Sequence, residues 1–217
     1  MAAPPDRFCV QIGKFRKLAE YLRHIYSFPI RIHKYSRLQT HFHMSSILVT
    51  CYSRTGKTKA LAEAIGRGAK EIEGTKVDVK SFNMISATDL VRYDGILLGS
   101  PVYFGSPAAE VKELLDDTTF VRGKLNGKVG AAFVTAGDRT GGKETAILSI
   151  LQAMLIHGMI VVGDPINPEF EDAEHNGGHY GLAADGPITD ADLRAAELFG
   201  RHVAGVVKKV FGYQLDN

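Results

Sequence analysis

The chain has 217 residues, 45% of them hydrophobic and 23% charged, with a formal charge of +2. That is enough chain to bury a substantial core, and the balance excludes a disordered or fibrous class. Two cysteines, Cys9 and Cys51, are too few for a disulfide framework or a cysteine-rich metal cluster, and no run of about 18 apolar residues offers a membrane span. A reducing, cytoplasmic setting fits this usage.

The charge is unevenly spread. The first 43 residues hold eight Lys/Arg against two Asp/Glu and four of the eight histidines, so the rest of the chain carries a net −4. Residues 1–43 read as a basic extension that packs poorly, or as sequence upstream of a start at Met44. A basic arm for nucleic acid or membrane and an organelle transit peptide are the alternatives. For the domain at 44–217 no nucleic-acid partner is expected.

From Met44 the pattern alternates. Residues 47–52 form a short apolar run ending in a polar loop, the mark of a buried strand. Residues 57–72 place Ala60, Leu61, Ala64, Ile65 and Ala69 at helical spacing, and Gly74 closes that helix. Residues 76–82 alternate as a half-buried strand. A third strand is predicted over 95–100, a helix over 107–115, a fourth strand over 128–135, a helix over 144–157 and a fifth strand over 159–162. A polar, Gly-rich loop follows over 165–186. Thr189 then reads as an N-cap, with Asp192 completing an Asp variant of the capping box, and the last helix covers 190–210.

Five apolar strands alternating with helices predict an α/β fold: a doubly wound parallel sheet covered on both faces. Such sheets bind ligands beyond the carboxyl ends of their strands. The polar segments 53–58, 100–106, 135–143 and 163–187 all fall there, so they are expected to converge on one site.

Gly56-Lys57-Thr58 matches the end of a triphosphatase loop. That loop needs a glycine five residues before Gly56, and position 51 is Cys. The third strand also runs into Ser100-Pro101 rather than a Mg²⁺-binding acid. A single phosphate suits the loop better. Ser53, Thr55 and Thr58 carry hydroxyls, Gly56 permits close approach, and the helix N-terminus favours an anion. An ordinary helix start capped by Ser53 or Thr55 is the alternative for this loop alone. Tyr103 and Phe104, adjacent in the second loop, suit a planar ring; the small residues of 135–142 offer backbone amides.

In order, Ser53–Thr58, the Ser-Pro-x-x-Phe-Gly turn at 100–105, Gly141-Gly142-Lys143-Glu144-Thr145, His157-Gly158-Met159 and Gly177-Gly178-His179-Tyr180-Gly181 resemble the WrbA-type NAD(P)H:quinone oxidoreductases, flavodoxin-like proteins that bind FMN. The resemblance spans about residues 46–209. It implies strand order 2-1-3-4-5, FMN held non-covalently, and hydride passing from NAD(P)H via flavin to a quinone or similar planar acceptor.

Carried over by position, the resemblance assigns the phosphate to Ser53, Arg54, Thr55, Gly56, Lys57 and Thr58. It assigns the ring to Pro101, Val102, Tyr103, Phe104 and Gly105 and to Thr135, Ala136, Gly137, Asp138, Arg139 and Thr140. It makes His157, often supplied across a subunit interface in the family, and Tyr103 the candidate catalytic residues, and Phe120 the quinone platform. It implies a homodimer or homotetramer. The chain departs from the family at Thr55, Tyr103 and Phe120, and only residues 83–93 stand where the family carries an insertion. The alternative function is a non-enzymatic flavodoxin-type electron carrier; a scaffold with an empty site is the third. Glu169, Glu171, Asp172, Glu174, His175 and His179 crowd one loop without a recurring ligand spacing, so no metal is expected.

Overall fold

The computed structural model describes residues 40–166 and 179–215. Residues 1–39 of the expected extension, Cys9, and Glu169 to His175 of the acidic loop lie outside the described residues.

Strand β1 (Thr40–Phe42) pairs antiparallel with the last strand, β9 (Tyr213–Leu215), so residues assigned to the extension by composition contact the chain's far end. The main sheet is built on β2 (Ser45–Cys51), whose Ile47, Leu48, Val49 and Thr50 are fully buried. Both alternating sets are buried because helices cover both faces. Beside β2 run β3 (Thr75–Ser81) and β4 (Gly95–Tyr103), then β6 (Val129–Ala136). These four are parallel.

The fifth position is shared. β7 (Ile160–Val161) pairs with the start of β6, and β8 (Leu182–Asp185) pairs with its end, both parallel. The order is therefore 2-1-3-4-5, with the fifth strand split in two. The predicted strand over 159–162 survives as two residues, and the predicted loop over 165–186 contains β8. Leu182-Ala183-Ala184-Asp185 is too short and too alanine-rich to announce a strand. Pairing with Phe133–Ala136 and burial among its neighbours make it one.

Helices α1 (Lys57–Lys70) and α5 (Asp190–Phe211) cover one face. Leu61, Ile65, Phe133, Phe199 and Val203 share that core, and fully burying such a side chain contributes about 1.5–3 kcal/mol. The two helices touch closely: a Cβ on Gly68 would lie 1.8 Å from the Glu197 carbonyl oxygen, and one on Gly200 would lie 2.0 Å from that of Ile65. The other face carries α2 (Ala87–Leu90), α3 (Ala109–Asp117) and α4 (Lys143–Ile156) over Leu48, Ile96, Leu98 and Val134. The capping box of α5 forms as predicted, with Thr189 Oγ1 accepting from Asp192 N at 3.2 Å and Asp192 Oδ2 accepting from Thr189 N at 2.8 Å. Among the described residues no helix is long and apolar enough to cross a membrane.

Candidate active site at the carboxyl edge of the sheet

β2 hands the chain to α1 through residues 52–56. Gly56 is the N-cap residue, at φ 88°, and has no side chain to cap the helix; the first turn of α1 contains no acidic residue. The amides of Lys57 and Thr58 therefore open α1 with their dipole unopposed. Ser53 Oγ accepts from Lys59 N at 3.2 Å, while Arg54, Thr55 and Gly56 are exposed. The capping alternative is thus half realised: Ser53 folds toward the helix and Thr55 does not.

Two of the proposed phosphate residues have other partners. Lys57 Nζ donates to the Gly186 carbonyl at 2.5 Å. Thr58 is buried, and its hydroxyl shares a hydrogen bond of 2.8 Å with Thr135 Oγ1. These contacts tie the first loop to the end of β6 and to the turn after β8.

The second loop is tighter than its spacing suggested. β4 runs three residues past Ser100, and β5 (Ser106–Pro107) folds back on it, pairing Tyr103 with Ser106. Phe104 and Gly105 form the two-residue tip, at φ 50° and 78°. Positive φ at both positions is what type I′ hairpin turns require. A bulky side chain is an outlier there, at a cost of order 1–3 kcal/mol. Phe104 is 109% exposed and Tyr103 38%. Buried Ser100 pins the hairpin base, accepting from Ala108 N at 2.9 Å and donating to the Pro101 carbonyl at 2.8 Å. Pro101 is buried and Val102 half-buried beneath the tip.

In the third segment, Thr135 and Ala136 are buried strand residues; the loop proper is Gly137, Asp138, Arg139 and Thr140, all exposed. Asp138 Oδ1 accepts from Thr140 N at 3.0 Å, a local turn contact. Gly142, at φ 88°, lies so near the hairpin that a Cβ there would stand 2.7 Å from Gly105 Cα. The second and third loops therefore touch at glycine.

Sequence reasoning missed an ion pair. Lys143, the first residue of α4 and only 3% exposed, bonds Asp185 at the end of β8. The Gly-Gly-Lys signal was available for the lysine; nothing announced a carboxylate 42 residues on, because β8 was unrecognised.

His157 and Phe120 are not brought to this edge of their own chain. α4 starts at the hairpin and runs down the sheet, roughly 20 Å for its length. His157 therefore lies at the amino edge, beside Gly127–Gly158 and the start of β6. There its Nε2 meets Thr118 Oγ1 at 2.7 Å, in the short 3₁₀ turn Thr118–Val121 that also carries Phe120, 82% exposed. Within one chain neither residue can touch a ligand at the carboxyl loops. Among the described residues no group of three His, Cys, Asp or Glu is placed to hold a metal.

A family profile described as NADPH-dependent FMN reductase matches residues 46–168. The chain belongs to that family. An NAD(P)H dehydrogenase (quinone) of Archaeoglobus fulgidus is 35% identical over 194 residues, covering 77% of this chain and all of that protein. One from Acidovorax ebreus is 33% identical over 200 residues, covering 78% and 100%. The WrbA-like flavodoxin structure from Agrobacterium tumefaciens superposes with a TM-score of 0.61 at 23% identity, over 76% of this chain and 98% of that one; it supports the fold alone.

The residues of this FMN reductase family member fit the cofactor. A helix start behind a glycine, without a first-turn acid, suits a phosphate monoester. An exposed aromatic at the hairpin tip suits a flat ring, and Gly137, where an added Cβ would meet nothing within 4 Å, leaves backbone amides open to its polar rim.

Proposed function

We propose that the chain passes hydride from NAD(P)H, through FMN held at the carboxyl edge, to a quinone or similar planar acceptor. The observation that carries this reading is Phe104, a fully exposed aromatic kept in a left-handed backbone conformation at the mouth of three converging loops. Strain of that kind persists where the surrounding structure imposes it, and it clusters at ligand sites. The relatives named NAD(P)H dehydrogenase (quinone) supply the donor and acceptor classes.

FMN, when bound, supplies the redox chemistry, taking hydride from the nicotinamide and returning two electrons to the acceptor. The chain's residues do the rest. The amides of Lys57 and Thr58, the hydroxyls of Ser53 and Thr55 and the Arg54 guanidinium hold the phosphate. Pro101, Val102, Tyr103, Phe104 and Gly105 form one wall for the ring. Residues from Thr135 to Thr140 form the other, their amides facing its polar rim as fixed dipoles. The Tyr103 hydroxyl positions the acceptor.

His157 and Phe120 serve a second copy of the chain in a homodimer or homotetramer. This is supported by their place on an uncovered apolar face with Leu155, Ile156 and Ile160, 55%, 83% and 43% exposed. A helix end whose exposed residues are apolar, as the last turn of α4 is, expects cover. The domain at 44–217 carries the activity without residues 1–43, and the enzyme works in the cytoplasm, where its donor is found.

The test is an anaerobic titration of the FMN-loaded chain. Bleaching by one equivalent of NADPH, followed by return of the yellow colour on adding quinone, is the expected result. A loaded chain that NADPH leaves yellow defeats the enzyme reading and favours a carrier, the role suggested by the 33% identical relative from Aquifex aeolicus named flavodoxin.

A further inference from the structure

A cavity of about 560 Å³ opens beside the phosphate loop, on the β3 side of the sheet. Neither the phosphate nor the ring is assigned to it. Its floor includes Cys51 and Val79, where β2 and β3 end, and its wall includes Tyr52 and Phe82. These two rings meet edge to face, with centroids 6.2 Å apart and planes at 79°. Glu110 and Glu113, three apart on one face of α3, line it, as do Lys59 of α1 and Lys80 of β3. The Lys80 ammonium lies 5.6 Å from the centre of the Tyr93 ring, which is not part of the lining.

The cavity is continuous with the flavin loops in two ways. Ser53 lines it and also belongs to the phosphate loop. Tyr52, next to Ser53 in the chain, lines it as well, and a hydrogen bond to Glu110 raises the pKa of its hydroxyl. A ligand seated here thus adjoins the phosphate loop directly.

We infer that this cavity takes the adenine half of the nicotinamide dinucleotide while the nicotinamide lies at the Phe104 hairpin. The inference rests on the proposed donor. Aromatic edges over an apolar floor suit a flat base. The paired carboxylates of α3 accept from an exocyclic amine. The diphosphate spans the mouth beside Ser53, next to which Lys59 lines the cavity and Arg54 is exposed. The volume falls within the range of small-molecule sites. Glu63, Glu110 and Glu113 outnumber the two lining lysines, so the base enters the cavity and the phosphates stay at its mouth.

The experiment compares NADPH with reduced nicotinamide mononucleotide, which lacks the adenine half, on the FMN-loaded chain and on its Tyr52→Ala and Phe82→Ala variants. In the parent chain the mononucleotide should show the higher KM. Each variant should raise the KM for NADPH roughly tenfold, leave turnover with saturating mononucleotide unchanged, and keep the bound-flavin spectrum that reports folding. Equal KM values for the two donors in the parent, or variants that raise both alike, overturn the inference. Calorimetric titration with ADP-ribose, which needs no flavin chemistry, reads the cavity independently. Binding that Tyr52→Ala abolishes upholds it, and no binding overturns it. Failure of both donors to reduce the flavin counts against the proposed function alone.

Discussion

The two edges of the sheet are built from the same strands and helices and present opposite surfaces. At the carboxyl edge, helices α1 and α4 begin, each behind a left-handed glycine, and the loops between are polar and small. At the amino edge α4 ends, leaving Leu155 and Ile156 exposed and His157 half-buried, near the exposed Phe120. The parallel topology imposes this polarity, since every crossover starts its helix at one edge and finishes it at the other. Unpaired amides and positive dipole ends collect where an anion can use them. The opposite edge is free to be apolar, which suits a surface covered by another copy.

The comparison breaks most sharply at Gly56. Gly56→Asp places a carboxylate at the helix start and a side chain at φ 88°. FMN affinity should fall by roughly a hundredfold or more from repulsion and strain combined, read by quenching of flavin fluorescence; unchanged affinity would remove the phosphate assignment. At the other edge, Ile156→Lys should leave FMN affinity untouched, shift the particle to monomers in light scattering, and lower quinone turnover roughly tenfold through loss of the neighbouring His157. A variant that stays assembled, or a monomer with full turnover, denies the amino edge its role.

A smaller effect separates binding from stability at the hairpin. Phe104→Gly relieves the left-handed conformation and should stabilise the chain free of FMN by about 1 kcal/mol, while FMN binds roughly tenfold more weakly for want of a stacking partner. Thermal denaturation with and without FMN should thus move in opposite directions.

The smallest effect concerns Cys51 under the loop, whose thiol burial, with help from Glu63, pushes up to about 12 from 9.0. The protonated thiol should resist thiol reagents in the folded chain. Its folded pKa lies above the unfolded one, so its contribution to stability is complete below about pH 9 and is lost as the pH rises toward 12. Cys51→Ala should flatten that alkaline limb in urea melts.

Much of the fold was legible from Met44 on. The runs through Ile47, Leu97 and Ala132 are strands because uninterrupted apolar stretches of that length have to be buried on both faces. Thr189 and Asp192 announced the start of α5 because capping is local chemistry. The Phe104 turn was visible as an aromatic pair, but not as a hairpin, since a phenylalanine at positive φ has no sequence signature. β8 was invisible, its strand character being imposed by β6. Lys143–Asp185, Thr58–Thr135 and Lys57–Gly186 join residues 42, 77 and 129 apart, and no local pattern records such pairings.

The sequence by itself thus determined the alternation of strands and helices, the burial of the sheet and the edge at which the polar loops gather, because periodicity, glycine placement and helix polarity are properties of short stretches. Only the tertiary structure decided that the fifth strand is split, that two lysines are spent on Gly186 and Asp185, and that His157 stands at the far edge from the loops it was grouped with. Those outcomes depend on which distant segments share a neighbour, and the direction in which a helix crosses the sheet carries a residue some 20 Å from loops close to it in sequence.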